Sequence, residues 1–190
     1  METMPSPKVL AEGIQLCLKN AEGYILSAEI LYGSKKYKEA CILNGFAQEE
    51  MGKILNIFNA LHYTQNGKRW DSWKKRFKSH HDKLWFGEDV DDIVKGKLPK
   101  KSNKKCGKIK FFERLKVMYI DYDGEKFVMP REISKEEIEK NINQTKERFE
   151  FHKKLHTSIM DDEKLITENY ILTKDKSYDE LIKMFEDMSS

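Results

Sequence analysis

Cysteine is scarce and unpatterned. Cys17, Cys41 and Cys106 are scattered, odd in number and form no C-x-x-C pair. A disulfide framework is excluded, and the thiols read as the reduced thiols of a cytosolic protein. No Cys/His cluster has metal-ligand spacing, so neither a metal nor another cofactor is expected. Four prolines and ten glycines are few enough to leave room for long helices. No apolar run approaches the about 20 residues of a membrane span. The start, METMPSPKVLAEG, lacks the apolar core of a secretory signal. The expectation is a soluble, cytoplasmic protein with no membrane contact. A net charge of +3 is too small to announce a nucleic-acid binder by itself. An aromatic content of 11% argues against disorder.

What is present is helical periodicity. Leu10, Ile14, Cys17, Ala21, Tyr24, Ile25, Ala28 and Leu31 recur at three- and four-residue steps, with Ser6-Pro7 as cap and first turn. A second stripe runs Leu43, Ala47, Glu50, Ile54, Phe58, Leu61. Gly33-Ser34 between them predicts an antiparallel helical hairpin over residues 5–61. A third, basic helix is expected over 70–85, with Trp73, Phe77 and Leu84 as anchors. Residues 95–110 read as a basic loop that turns helical near Lys108. The run 117–129 flanks Asp123-Gly124 with apolar residues, which predicts a β-hairpin. Ser134-Lys135-Glu136-Glu137 is a capping-box pattern that opens C-terminal helices over 134–188. The fold class is therefore mainly α, an antiparallel helical bundle with a small β-hairpin insertion, in one domain.

Three features carry chemistry. Arg76-Phe-Lys-Ser-His80-His81 fits R-x-x-x-x-H. Histidine can exchange protons with a ribose 2′-hydroxyl or a leaving 5′-oxygen near neutral pH. Arginine can hold the scissile phosphate through two parallel hydrogen bonds. By helical phase Arg76 and His80 share a face; by motif count the partner is His81. A bend or helix start inside the segment would favour His81, and both histidines remain candidates. The bland alternative is a solvated basic face. Lys74, Lys75, Lys78 and Lys83 are candidate RNA contacts, and residues 95–116 add ten Lys/Arg against one acid, Glu113. Trp70, Trp73 and Trp85 could stack on bases, though core packing is the better reading. Glu50 is the second feature, a carboxylate inside an apolar stripe, which needs a partner such as Lys53. The third is His152 and His156, four apart on a helix. No third ligand accompanies them, so a structural role is favoured over a metal site with Glu50 or His80.

The stretch 21–58, AEGYILSAEILYGSKKYKEACILNGFAQEEMGKILNIF, resembles the AbiV family of abortive infection proteins. The similarity rests on the Ala-Glu-Ile-Leu-Tyr run, on Lys36-Lys-Tyr-Lys-Glu-Ala40 and on Glu49-Glu-Met-Gly-Lys53. It extends through the basic 77–84 segment, the hairpin ending in Pro130 and the Lys-Glu-Arg-Phe-Glu-Phe-His run at 146–152. That family is placed among HEPN domains, which are helical and commonly act as metal-independent ribonucleases. The resemblance implies a HEPN-like bundle and a homodimer whose Arg and His line one cleft. It places Arg76 and His81, or His80, in the catalytic positions, with Glu50 and Lys53 as supporting residues. Phe77 departs from the pattern, since the residue after the arginine is often polar in active members. The implied function is an antiphage effector that cleaves RNA and blocks translation, answering to a phage-encoded activator or inhibitor. The rival is a non-catalytic dimeric module that binds a phage protein or the translation machinery.

Overall fold

The structure, a computed structural model, describes residues 5–62, 67–80, 82–85, 92, 103–122 and 124–160. Helix α1 spans Pro7–Gly33 and α2 spans Tyr37–His62. Ser6 caps α1, its hydroxyl accepting from the Val9 amide, and Pro7 occupies the first turn, where a missing N–H costs nothing. The turn between the helices is three residues long. Lys35 adopts φ 61°, unusual for a side chain bearing a Cβ, and its amide donates to the Tyr32 carbonyl at 2.9 Å. The two helices run antiparallel: Gly13 near the start of α1 faces Ile57 near the end of α2.

Their shared seam is the larger core. Leu10, Ile14, Cys17, Ala21 and Ile25 meet Ala47, Met51, Ile54, Ile57 and Ala60. Burying a large aliphatic side chain contributes about 1.5–3 kcal/mol, so this seam dominates the stability of the bundle. Helix α3 spans Gly67–Lys78 and docks on α2 through Trp73, whose indole donates to the Asn56 carbonyl at 2.7 Å. Trp73 stacks on Phe77 with ring centroids 5.1 Å apart. The tryptophan expected in the core is there, 8% exposed, and Phe77 is apolar because it packs beside it.

The third helix does not run unbroken to residue 85. It ends at Lys78, and Ser79 starts a new helical stretch, its hydroxyl accepting from the Asp82 amide at 3.3 Å. Helix α4 covers Asn103–Met118. The expected loop over 95–110 is therefore helical from Asn103 onward. Lysine is a good helix former, and the Gly, Pro and Ser that suggested loop precede Asn103. Strands β1 (Asp121–Tyr122) and β2 (Phe127–Val128) pair antiparallel, Tyr122 opposite Phe127, around Gly124 at φ 103°. The hairpin is shorter than 117–129 because α4 claims residues 117 and 118. The Arg131 amide donates to the Lys116 carbonyl at 2.7 Å, bringing the chain back beside α4.

Helix α5, Lys135–Met160, packs across both α1 and α2. The Ser134 hydroxyl caps it, accepting from the Glu137 amide at 3.2 Å. The Glu137 carboxylate turns instead to Arg131, in a bidentate pair at 2.8 and 2.9 Å. Ile138 and Ile142 join Ala28, Ala40 and Ile133 in a second core cluster. His152 is 1% exposed, edge-on to Phe151, in keeping with a structural role. The His156 side chain and the helix expected over 178–188 lie outside the described residues. Among the described residues, no helix is long and apolar enough to cross a membrane.

Candidate functional site

Consecutive glutamates on α2 point to different neighbourhoods, because adjacent helical residues are about 100° apart. Glu50 faces the α1 seam. Its Oε1 accepts from Lys53 Nζ at 2.6 Å, and the Cys17 thiol is hydrogen-bonded to the same carboxylate. Burial first, and the nearby Glu50 charge second, push the Cys17 thiol up to about 12. Glu50 and Lys53 hold each other, the pairing expected of a carboxylate inside an apolar stripe.

Glu49 meets a different set of neighbours. Its side chain is 6% exposed and receives three basic groups. His80 Nδ1 lies 2.6 Å from Oε2, Arg114 Nη1 is in contact with Oε1, and Lys83 Nζ lies 3.9 Å from Oε2. Arg114 also sits over the Phe46 ring, 5.5 Å from its centroid. His80 and Lys83 from one stretch and Arg114 from α4 thus converge on one buried carboxylate of α2. A lone ion there would be costly, and the cations offset that cost only by close approach.

Two glycines permit the approach. Positions 45, 49 and 52 follow i, i+4, i+7 and share one face of α2. A Cβ on Gly52 would stand 1.9 Å from the Lys83 carbonyl oxygen, and one on Gly45 would stand 2.7 Å from Arg114 Cδ. Glu49 therefore sits between two notches, one admitting the backbone that carries His80, the other admitting Arg114. Neither Glu49 nor Arg114 was singled out from sequence. The usable signal is Gly45-x-x-x-Glu49-x-x-Gly52, two small residues bracketing an acid on one helical face.

Of the residues read as chemical, the described ones brought to the cluster are His80 and Lys83. The His80 side chain is 54% exposed, so the imidazole contacts Glu49 through Nδ1 and is open over half its surface. Arg76 is part-buried in the last turn of α3, on the far side of the Ser79 break. His81 lies outside the described residues. Lys75 and Lys78 are exposed and Lys74 is part-buried. Lys83 departs from the RNA-contact reading, being 6% exposed and turned to Glu49. Burial pulls its ammonium below the usual lysine range, and Glu49 opposes that shift.

Such an arrangement suits proton transfer. A buried carboxylate fixes the imidazole's orientation, while the cations beside it limit the net negative charge. Among the described residues, no group of three or more His, Cys, Asp or Glu is placed to hold a metal ion. The residues that build the cluster fall inside a region that matches a known family. A HEPN family model described as AbiV matches residues 9–150, from the start of α1 to the middle of α5. No curated protein and no solved structure matches the chain. With three quarters of its residues matched, and with a mainly helical fold of the kind that family implies, the chain belongs to the AbiV family of HEPN-domain proteins, which suggests a role in abortive infection.

Proposed function

We propose that this chain is an antiphage abortive-infection effector that cleaves RNA without a metal and so blocks translation, with His80 as its acid–base group. The observation that carries the reading is the 2.6 Å contact between His80 Nδ1 and the buried Glu49, on a histidine whose ring remains half open. Carboxylate–imidazole pairs of this kind set tautomer and orientation in proton-transfer sites. In the proposed step an imidazole takes the proton of the ribose 2′-hydroxyl. The 2′-oxygen attacks phosphorus, and the bond to the 5′-oxygen breaks. A second, protonated imidazole gives that oxygen its proton, leaving a 2′,3′-cyclic phosphate and a 5′-hydroxyl. Arg76 binds the phosphate, and a homodimer supplies the two imidazoles to one groove. Lys74, Lys75 and Lys78 attract the RNA backbone. A phage-encoded protein is the proposed trigger, since an unrestrained ribonuclease harms its host. The proposed place of action is the cytoplasm.

The second reading takes the cluster as a structural ion network in a non-catalytic binding module. The observation favouring it is that Arg114 and Lys83 already surround Glu49. One experiment separates the two. Purified protein is incubated with RNA in chelator, with and without infected-cell extract, beside His80→Ala, His81→Ala and Arg76→Ala. Cleavage to cyclic-phosphate ends that falls about 10²–10⁴-fold in His80→Ala supports the enzyme. Folded wild type with no cleavage under either condition supports the module. Undiminished cleavage by His80→Ala assigns the chemistry elsewhere.

A further inference from the structure

On the other side of Arg114 lies a cavity of about 190 Å³, between α2, α4 and α5. Its lining is unusual for an interior. Four carboxamides face it, Asn44 and Gln48 from α2, Asn141 and Gln144 from α5. Leu84 and Val117 supply apolar wall. Gln48 Nε2 donates to Thr145 Oγ1 at 3.0 Å, which fixes its amide orientation. Asn44 is 2% exposed, and its Oδ1 has no hydrogen-bond partner among the described residues. A buried acceptor without a partner is destabilising, so a ligand that donates to it would gain from the contact.

The chemistry of the lining narrows the occupant. A cationic amine would require an available carboxylate, but Glu113 and Glu137 are paired to Lys116 and Arg131. An anion would draw on the three cations of the lining, but Arg114 is engaged by Glu49 and Arg131 by Glu137, and Lys110 has an interaction of its own. What the site offers is amide donors and acceptors beside the apolar side chains of Leu84 and Val117. That pattern is complementary to a heterocycle with a polar edge and apolar faces, and Asn and Gln read such edges in nucleic acids. Size agrees: a cavity of about 150 Å³ takes a benzene ring, and this one is somewhat larger.

We infer that the cavity is a nucleobase subsite in which Asn44 Oδ1 accepts from a base N–H. The base arrives either on an RNA strand or as a free nucleotide. On a strand, the subsite selects which nucleotide lies beside His80, because Arg114 borders the cavity and touches Glu49. That consequence rests on the ribonuclease reading; base binding itself does not.

The test is binding, read without cleavage. Wild-type protein is titrated by calorimetry with adenosine, guanosine, cytidine and uridine, and separately with short single-stranded oligoribonucleotides carrying a 2′-deoxy block. Asn44→Leu removes the acceptor at nearly constant volume, and Gln144→Ala removes a half-buried amide. Expected is saturable binding of at least one nucleoside or oligonucleotide, weakened tenfold or more in both variants. The thermal midpoint of ligand-free Asn44→Leu should be equal to wild type or higher. Nucleoside binding identifies a free nucleotide as a sufficient ligand; loss seen only with oligonucleotides identifies a strand-borne base. If neither ligand class binds, or both variants bind as wild type does, the inference is overturned. Binding without cleavage leaves the subsite standing and removes the nuclease. Cleavage with no dependence on Asn44 or Gln144 does the reverse.

Discussion

Glu49 and Glu50 are neighbours in sequence, both buried, yet they belong to different parts of the molecule. Glu50 lies in the α1–α2 seam with Cys17 and Lys53, a closed setting in which a local partner three residues away satisfies it. Glu49 lies about 100° round the helix, and its partners are His80, Lys83 and Arg114. The first arrangement is what a helix can do for itself. The second requires the chain to gather three segments around one charge, against the loop-closure entropy of bringing them together.

The sharpest way to break this contrast is to remove each carboxylate. Glu49→Ala strands two buried cations and is expected to cost about 3–5 kcal/mol in urea unfolding. Glu50→Ala frees Lys53, which is 22% exposed and can turn to water, so its cost should be smaller, about 1–3 kcal/mol. Equal losses would remove the distinction. The seam also has a pH signature. The folded-state value of the Cys17 thiol lies above its unfolded 9.0, so its contribution is intact below pH 9 and is lost as pH rises toward about 12. Stability should fall between those limits, and Cys17→Ala should remove about 1.4 kcal/mol per pH unit of that slope. Alkylation mapping should find Cys17 slow to react in the native state.

The glycine notches test the other side. Gly52→Ala drives a methyl into the Lys83 carbonyl, and is expected to cost about 1–3 kcal/mol and to displace His80. Gly23→Ala, with nothing within 4 Å, should instead stabilise α1 by about 0.5–1 kcal/mol. The smallest effect is expected at the hairpin turn. Lys35→Gly relieves the positive φ and should raise stability by about 0.5–1 kcal/mol. Circular dichroism melts of the three variants check all of these.

The frame was legible in sequence because it is periodic. The α1 stripe, the Ser6-Pro7 start, the Ser134 cap and the core tryptophan follow from local patterns. The Ser79 break was not, since Arg76 to Lys83 reads as continuous basic helix until Ser79's hydroxyl is seen capping the next turn. The site was half legible. His80 stands out by residue type, but Glu49 looks like any solvent-facing acid until Gly45 and Gly52 are recognised as notches. Arg114 hides in a lysine-rich run, and only tertiary packing separates it from its neighbours. Glu50 drew attention because it interrupts an apolar stripe, and its answer proved to be the local one, Lys53.

The central claim is that the buried Glu49 positions His80 for proton transfer, while Glu50 serves the core. The most direct measurement compares RNA cleavage rates of Glu49→Gln and Glu50→Gln with wild type, after confirming that both variants are folded. The account predicts a fall of about 10²-fold or more in kcat for Glu49→Gln, and a rate within a few-fold of wild type for Glu50→Gln. Equal rates in the two variants, or full activity in folded Glu49→Gln, would contradict it.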